Sequence, residues 1–156
     1  MNLKKLFVSL AVCLGSGGIG SFFTSQSLNS WYAALAKPAF TPPSWVFGPV
    51  WTVLYILMGI SLYVVWHRFP PRLGRRLPYS LFAAQLALNT AWSAVFFDLR
   101  SLVGGLVVIT ALWLAIFGTM TAFRRLSRLA GWLLIPYLAW VTFAFALNYS
   151  IWKLNR

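Results

Sequence analysis

The segment Lys37-Pro-Ala-Phe-Thr-Pro-Pro-Ser-Trp-Val-Phe-Gly-Pro-Val-Trp-Thr-Val-Leu-Tyr55 joins a proline-rich turn to the start of a long apolar run. Because each of its four prolines fixes φ and disfavours helical geometry at the preceding residue, the sequence predicts no continuous helix before about Trp51. Large aromatic side chains surround this rigid turn: Trp45, Phe47, Trp51 and Tyr55. Such a segment suits a flat apolar ligand or a tightly packed lid, and an aromatic belt at a membrane surface is the alternative interpretation.

The composition around this segment is that of an integral membrane protein. Of the 156 residues, 60% are hydrophobic and only 9% are charged, against about 25% charged residues in soluble domains. Five apolar runs are long enough to cross a hydrocarbon core of about 30 Å as helices; they cover residues 6–23, 45–66, 77–97, 102–123 and 130–152. The sequence therefore predicts an all-α membrane protein, a five-transmembrane-helix bundle in a single domain over residues 1–156. Residues 24–44 are predicted to form a long structured loop that acts as a lid.

Positive charge is concentrated at the ends of these runs. A net charge of +12 would favour nucleic-acid binding by a soluble fold, but here its distribution follows the positive-inside rule. One side of the predicted bundle carries Lys4, Lys5, Arg68, Arg72, Arg75, Arg76, Arg124, Arg125 and Arg128, and the other carries Lys37, Arg100, Lys153 and Arg156. We therefore expect a multi-pass membrane protein with its N-terminus in the cytoplasm and the lid outside. The start at Lys4 and Lys5 and the lack of a mitochondrial-type presequence favour a bacterial cell membrane, and a protein of the outer mitochondrial membrane is the alternative.

The first apolar run has two interpretations. Its basic start at Lys4 and Lys5 is compatible with a cleaved signal peptide, but the run continues to Phe23, longer than a usual signal sequence. This length favours a retained helix. The cluster Gly15-Ser-Gly-Gly-Ile-Gly20 lies inside the run, where close helix packing is the natural use of glycine.

The third run has two faces at helical spacing. Ala83, Ala87 and Ala91 form a stripe of small residues, which predicts either a homodimer seam or a contact with another helix of the same chain. The roughly opposite face carries two amides and two aromatic rings: Gln85, Asn89, Trp92 and Phe96. Because unpaired polar groups are costly inside a membrane, the amides must face protein, water or a ligand.

The fifth run repeats this pattern. One predicted side carries Pro136, Trp140, Ala144, Leu147 and Ile151, with Asn148 next to it. Small Ala144 beside Trp140 leaves room for a planar group, and Asn89 and Asn148 offer directed polar contacts. A ligand cavity is the economical explanation, and the alternative is that both asparagines only form hydrogen bonds between helices.

The counts of reactive residues exclude several classes of enzyme. The chain has one acidic residue, Asp98, one histidine, His67, and one cysteine, Cys13. It therefore lacks the carboxylate pair, the metal-ligand cluster and the Ser-His-Asp set on which classical hydrolases and metalloenzymes depend. We expect no metal site, and the absence of carboxylates within the apolar runs weakens proton-coupled transport.

Four motifs occur in order along the chain: Trp31-Tyr-Ala-Ala-Leu-Ala-Lys-Pro38; Pro42-Pro-Ser-Trp-Val-Phe-Gly-Pro-Val-Trp-Thr-Val-Leu-Tyr55 with Met58-Gly59; Gln85-Leu-Ala-Leu-Asn-Thr-Ala-Trp92 with Phe96-Phe97; and Pro136-Tyr-Leu-Ala-Trp140 with Leu147-Asn-Tyr149. With these motifs the chain resembles, over nearly its whole length, the TspO/MBR family of tryptophan-rich sensory proteins, related to the translocator protein or peripheral benzodiazepine receptor. The resemblance implies a five-helix bundle, usually dimeric, with a pocket beneath the first loop that binds porphyrins such as protoporphyrin IX and haem. It also implies affinity for cholesterol-like sterols and for synthetic isoquinoline carboxamide or benzodiazepine ligands.

The resemblance also implies roles for individual residues. Ligand-binding positions of the family fall on Tyr32, Phe47, Trp51, Asn89, Trp140, Ala144 and Leu147. Some bacterial members resemble light- and oxygen-dependent porphyrin-degrading catalysts, and the catalytic role would fall on Trp51 and Trp140. Leu147, Tyr149 and Lys153 fit a loose cholesterol-recognition pattern. The chain departs from some relatives at Gly104, where an aromatic pocket residue occurs in them.

Three functions follow from these expectations. The first is a porphyrin-binding receptor or sensor that regulates a tetrapyrrole or stress response, with porphyrin or haem as a ligand and no obligatory cofactor. The alternative in the enzyme class is light- and oxygen-dependent porphyrin degradation. The alternative in the transport class is movement of tetrapyrroles across the membrane, although the chain lacks the inverted repeat and buried charges that transporters commonly show.

Overall fold

The computed structural model describes residues 2–71 and 76–156, and within these ranges the chain is helical with no strand. Seven α-helices follow one another in the described ranges: α1 (Leu3–Leu28), α2 (Trp31–Ala34), α3 (Ser44–Arg68), α4 (Arg76–Ser93), α5 (Leu102–Leu126), α6 (Arg128–Leu133) and α7 (Ile135–Leu154). A π-helical turn over Ala94–Asp98 continues α4. Five segments are long and apolar enough to span a membrane: Leu3–Leu28, Ser44–Arg68, Arg76–Asp98, Leu102–Leu126 and Arg128–Leu154. The predicted five-helix membrane bundle is confirmed.

The first helix is longer than the apolar run that predicted it. It ends at Leu28, so the connection to α3 begins five residues later than residue 24. The hydroxyl of Thr24 donates to the carbonyl of Gly20 at 3.0 Å, and that of Ser25 donates to the carbonyl of Phe22 at 3.0 Å. Because these side chains bond to their own helix, polar residues extend it past the end of the hydrophobic run.

The expectation that no continuous helix precedes Trp51 is wrong. α3 begins at Ser44 and includes Pro49. Pro49 lies in the second turn, where its missing N–H leaves only the carbonyl of Trp45 without a helical donor. Trp45 is 74% exposed, at the end of the span that meets the lid, so this loss falls outside the packed core.

The fifth span is two helices rather than the one predicted over 130–152. α6 ends at Leu133 and α7 begins at Ile135, with Leu134 between them. Pro136 at the start of α7 has no N–H to continue the ladder, and it fits the first turn of a new helix. α6 packs closely on α5, since a Cβ placed on Gly131 would lie 2.6 Å from the Cβ of Arg124.

The spans pack as a ring around buried side chains. α1 contacts α3 and α4, α4 contacts α5, α5 contacts α7, and α6 contacts α3. The centre is filled by buried residues from these helices, including Met58, Phe82, Ile116, Phe123 and Tyr137. Since lipid is as apolar as this core, the bundle depends on close packing and hydrogen bonds between helices rather than on hydrophobic burial.

Hydrogen bonds join three segments at the end of the bundle away from the lid. The Nζ of Lys5 donates to the carbonyl of Trp66 at 3.2 Å, and the hydroxyl of Ser61 donates to the carbonyl of Ala130 at 2.8 Å. These bonds hold the start of α1, the second half of α3 and the start of the fifth span side by side. Arg72 and Arg75, which belong to the predicted cytoplasmic set, lie outside the described residues.

The two faces predicted for the third span are distinct in the structure. Gln85 and Asn89 are buried, whereas Ala83 and Ala87 are exposed on the outer surface and Ala91 is half-buried. Ala83 and Ala87 therefore do not pack against another helix of the same chain, and the homodimer seam remains the prediction for this stripe.

Candidate ligand-binding site

A cavity of about 540 Å³ lies beneath α2, between α1, α3, α4 with its π turn, and α7. This volume falls within the usual range of small-molecule pockets, about 300–1,000 Å³. Six of the seven predicted ligand-binding residues line it: Tyr32, Phe47, Trp51, Asn89, Ala144 and Leu147. The structure therefore brings residues from four separate elements to one concave surface.

Trp140, the seventh predicted residue, lies behind the cavity wall. Its ring packs against Phe47, with the centroids 6.0 Å apart, and against Phe143, with the centroids 5.4 Å apart. The inner face of α7 instead follows Tyr137, Val141, Ala144, Leu147, Asn148 and Ile151. Because successive helical residues are about 100° apart, Trp140 is turned away from Val141, and Pro136 is exposed. Trp140 lines a shallow apolar groove between α3 and α7 on the outer surface.

The short helix α2 roofs the cavity. Tyr32 is 4% exposed, and its ring lies 5.6 Å from that of Phe97 and 6.3 Å from that of Phe96. Its hydroxyl is buried and makes no hydrogen bond with any described residue. Burial raises the pKa of the Tyr32 phenol above its ordinary value, so the hydroxyl stays protonated and can donate to a ligand. The Nζ of Lys37 lies 4.9 Å from the centre of the Tyr32 ring, which adds a cation–π contact.

The rest of the connection is tied to the end of α7. The N–H of Ala36 donates to the Oδ1 of Asn155 at 3.0 Å, and the Nδ2 of Asn155 donates back to the carbonyl of Ala36 at 2.9 Å. The ring of Phe40 also packs on Phe143, with the centroids 6.2 Å apart. The connection is thus a folded lid over residues 29–43, held at several points.

Two asparagines form the polar part of the cavity wall. Asn89 accepts a hydrogen bond from the hydroxyl of Tyr55 at 2.5 Å and donates to the hydroxyl of Tyr137 at 2.8 Å. Asn148 accepts a bond from the indole of Trp92 at 3.4 Å and donates to the carbonyl of Leu102 at 3.4 Å. Both side chains make the interhelical bonds of the alternative interpretation, and both also line the cavity.

The π turn contributes two aromatic rings to the cavity wall, Phe96 and Phe97, of which the helical period had indicated only Phe96. Phe96 and Phe97 are neighbours in the chain, yet both are buried and both line the cavity. Regular helical geometry would point them about 100° apart, whereas the turn, closed by the N–H of Leu99 on the carbonyl of Ala94 at 2.9 Å, brings both inward. π turns of this kind are frequent at functional sites. The signal in the sequence was only the pair of adjacent phenylalanines.

The sequence matches the TspO/MBR family over residues 7–153. The chain belongs to this family. It is 46% identical over 155 residues to the tryptophan-rich protein TspO of Archaeoglobus fulgidus, covering 99% of each chain. It is 41% identical over 139 residues to the translocator protein of Homo sapiens, covering 88% of this chain and 82% of that protein. It is 40% identical over 157 residues to the tryptophan-rich sensory protein of Cereibacter sphaeroides, covering 99% of this chain and 95% of that protein.

The glycines of α1 have two different roles in this TspO/MBR protein. A Cβ placed on Gly17 would lie 2.5 Å from the ring of Tyr55, and one on Gly20 would lie 3.2 Å from the hydroxyl of Ser93. The predicted close packing therefore holds for these two positions. A Cβ on Gly15 or Gly18 would meet no atom within 4 Å, so those two glycines face open space.

The residues of the cholesterol-recognition pattern do not share a surface in this TspO/MBR chain. Leu147 is 5% exposed and lines the cavity, whereas Tyr149 is 46% exposed and Lys153 is exposed. A sterol bound on the outside of α7 would therefore touch Tyr149 and Lys153 but not Leu147. Gly104 also lies outside the cavity, where a Cβ would meet Ser101 and Val95.

Proposed function

We propose that this TspO/MBR protein is a membrane receptor or sensor that binds porphyrins, protoporphyrin IX and haem, in the cavity beneath α2 to regulate a tetrapyrrole or stress response. The observation that carries the proposal is a cavity of about 540 Å³ with aromatic walls and few polar groups. Trp51, Trp92 and Phe96 line it together with small Ala144. A flat macrocycle is the ligand shape that such walls suit.

One donor in the cavity wall matches a ligand with a carboxylate group. The Tyr32 hydroxyl is buried without a hydrogen-bond partner among the described residues and can donate to a ligand. Leaving such a hydroxyl unpaired costs about 1 to 3 kcal/mol, which an acceptor on the ligand would recover. A propionate group at the lid end would accept a hydrogen bond from Tyr32.

The cavity is suited to the porphyrin ring rather than to its iron. Among the described residues that line it there is no His, Cys or Met, and burial raises the pKa of the Tyr32 phenol, which disfavours the phenolate that could ligate iron. Stacking and hydrogen bonds would hold the ligand. We therefore expect metal-free protoporphyrin IX and haem to bind with similar affinity.

A titration in the dark tests the proposal. Purified protein in detergent is titrated with protoporphyrin IX while the porphyrin absorption band is followed, and Trp51→Phe is compared with Trp132→Phe. Trp132 is an exposed residue of α6 outside the cavity. We expect saturable binding that Trp51→Phe weakens and Trp132→Phe leaves intact. Absence of saturable binding, or equal affinity in all three proteins, would contradict the proposal.

A second candidate function is light- and oxygen-dependent degradation of the bound porphyrin. The observation in its favour is that Trp51 lines the cavity and packs on Tyr55 and Tyr137, with ring centroids 5.7 Å and 6.2 Å away. Bound porphyrin would absorb the light, molecular oxygen would accept an electron from Trp51, and the resulting tryptophan radical would then oxidise the bound porphyrin, so that the porphyrin is the net electron donor and oxygen the acceptor. Since Trp140 lies behind Phe47, Trp51→Phe should slow illuminated turnover more than Trp140→Phe. Equal illuminated turnover in the native protein and in Trp51→Phe/Trp140→Phe would exclude degradation through these tryptophans.

The proposal includes a homodimer that forms through α4. Ala83 and Ala87 are exposed at a spacing that allows a second helix to approach closely. Replacing both by leucine should convert dimers to monomers in chemical cross-linking of native membranes, whereas Ala146→Leu, at an exposed position of α7, should not. Unchanged cross-linking in the variant with both leucines would show that α4 does not form the dimer interface.

We also place the protein in a bacterial cell membrane with its N-terminus in the cytoplasm. The orientation is supported by the excess of Lys and Arg on the side of the bundle that carries the N-terminus.

A further inference from the structure

The cavity has an opening on its side, between α1 and α3. Several residues that line the cavity on these two helices are exposed. They form one row along each helix: Gly18, Ser21 and Ser25 on α1, and Trp45, Gly48 and Thr52 on α3. Their spacings of three and four residues place each row on one face of its helix. The two rows face each other across a gap that leads from the lipid-facing surface to the cavity.

The gap is bounded by small side chains. A Cβ placed on Gly18 or Gly48 would meet no atom within 4 Å. Towards the other end of the bundle α1 and α3 are in close contact, since a Cβ on Gly59 would lie 2.8 Å from the Cδ2 of Leu10. α1 and α3 therefore touch in the half away from the lid and separate in the half next to it.

The top of the cavity is covered. Asn155 binds both backbone groups of Ala36, Tyr32 packs on Phe97, and Phe40 packs on Phe143. A ligand that entered from the water would have to displace these contacts together. None of these contacts joins α1 to α3.

A separate observation indicates that the gap leads to a binding site. The hydroxyl of Tyr32 belongs to a residue that is 4% exposed, lines the same cavity and has no hydrogen-bond partner among the described residues. A buried hydroxyl of this kind is stabilised when a ligand supplies an acceptor. The mouth carries the amphipathic indole of Trp45, which is 74% exposed, as suits the boundary between headgroups and hydrocarbon.

We propose that ligands enter and leave the cavity sideways, from the leaflet of the bilayer on the lid side, through the gap between α1 and α3. The ligand class is then a membrane-dissolved amphiphile with a flat apolar body and a hydrogen-bond acceptor at one edge. The choice of protoporphyrin IX as the probe rests on the proposed function. The route itself rests on the gap, the covered roof and the unpaired hydroxyl.

Variants that fill the gap test the route. The protein is reconstituted in phosphatidylcholine vesicles, and quenching of its tryptophan fluorescence by protoporphyrin IX is followed by stopped flow. Gly18→Leu and Gly48→Leu place a side chain in the gap from opposite helices. Gly15→Leu is the matched control, because Gly15 also faces open space but lies outside the cavity lining.

We expect Gly18→Leu and Gly48→Leu to slow both association and dissociation by about tenfold, which corresponds to a barrier raised by about 1.4 kcal/mol. Because both glycines also border the cavity, the decisive reading is the dissociation rate: a side chain that only disturbed the site would speed dissociation, whereas one that blocks the route slows it. Gly15→Leu should leave both rates unchanged. Circular dichroism and elution volume confirm that each variant is folded.

A second measurement needs no variant. With porphyrin and protein held constant, added lipid dilutes the porphyrin in the membrane, so the association rate of the native protein should fall in proportion. A rate that does not depend on the amount of lipid, or native rates in both Gly18→Leu and Gly48→Leu, would overturn lateral entry while porphyrin binding stands. Absence of saturable binding by the native protein would overturn the proposed function and this proposal together.

Discussion

Asn89 joins three transmembrane helices through a single amide. It lies on α4, accepts a hydrogen bond from Tyr55 on α3 and donates one to Tyr137 on α7. In a bilayer no water replaces a lost partner, so all three polar groups depend on one another. The sequence predicted that Asn89 contacts a ligand. In the structure its amide holds three helices together, and the same side chain lines the cavity.

Replacing this amide should destabilise the bundle. Asn89→Leu leaves the hydroxyls of Tyr55 and Tyr137 buried without their partner. We expect the free energy of unfolding, measured by titration with sodium dodecyl sulfate, to fall by about 2 to 6 kcal/mol, since each of the two unpaired buried hydroxyls costs about 1 to 3 kcal/mol. The matched variant Asn89→Leu/Tyr55→Phe/Tyr137→Phe removes all the polar partners and should recover much of the loss. A triple variant no more stable than Asn89→Leu would contradict this account.

Gly17 and Gly15 provide a second test at the residue scale. Gly17→Ala would place a methyl group 2.5 Å from the ring of Tyr55, and that ring cannot move away without losing its hydrogen bond to Asn89. Gly15→Ala meets no atom within 4 Å and adds helix propensity worth up to about 1 kcal/mol. We expect a lower melting temperature in detergent for Gly17→Ala and an equal or higher one for Gly15→Ala. Equal effects at both positions would show that α1 does not pack on Tyr55 as described.

At the scale of elements, the lid is held by the end of the chain. α2 is a single turn and would be marginal by itself, since short helices need tertiary contacts. The contacts come from Phe96 and Phe97 below it, and from Asn155 at the end of α7. The order of the lid therefore depends on an element more than a hundred residues away in sequence.

Loosening this tie should increase the mobility of the lid. Asn155→Ala removes the acceptor for the Ala36 N–H and the donor to its carbonyl. We expect faster amide hydrogen exchange in peptides covering residues 29–43, measured by mass spectrometry, with no change in peptides from α5. The control is Asn29→Ala, at an exposed asparagine that follows α1. Native exchange rates in Asn155→Ala would show that the tie does not order the lid.

At the scale of the whole molecule, charge distribution predicts orientation. Lys5 and the basic residues Arg68, Arg124, Arg125 and Arg128 belong to one end of the bundle, and Lys37, Arg100, Lys153 and Arg156 belong to the other. The positive-inside rule places the first end in the cytoplasm.

Cysteine labelling in intact cells checks this orientation. The single native cysteine, Cys13, is buried, so a Cys13→Ala background leaves no competing thiol. Ala39→Cys, at an exposed position of the lid, should react with a membrane-impermeant maleimide in intact cells. Leu3→Cys, exposed at the start of α1, should react only after permeabilisation. The opposite pattern would reverse the proposed topology.

Three features could be predicted from the sequence because they depend on local properties. They are the number of spans, their approximate limits and the residues of one inward face. Hydropathy adds up along a run, and the helical period assigns residues to a face without knowledge of the neighbours. Gln85 and Asn89 were therefore placed correctly on a buried face, and the four motifs were sufficient to indicate the family.

Other features depend on which helices meet, and only the folded chain shows them. The start of α3 at Ser44 and the break at Leu134 depend on whether the surroundings tolerate a lost hydrogen bond. The π turn that turns Phe96 and Phe97 inward, and the position of Trp140 behind Phe47, depend on the rotation of each helix against its neighbours. The bond between Ala36 and Asn155 and the gap beside Gly48 join distant parts of the chain. No local pattern encodes them, because each arises from contacts between residues far apart in sequence.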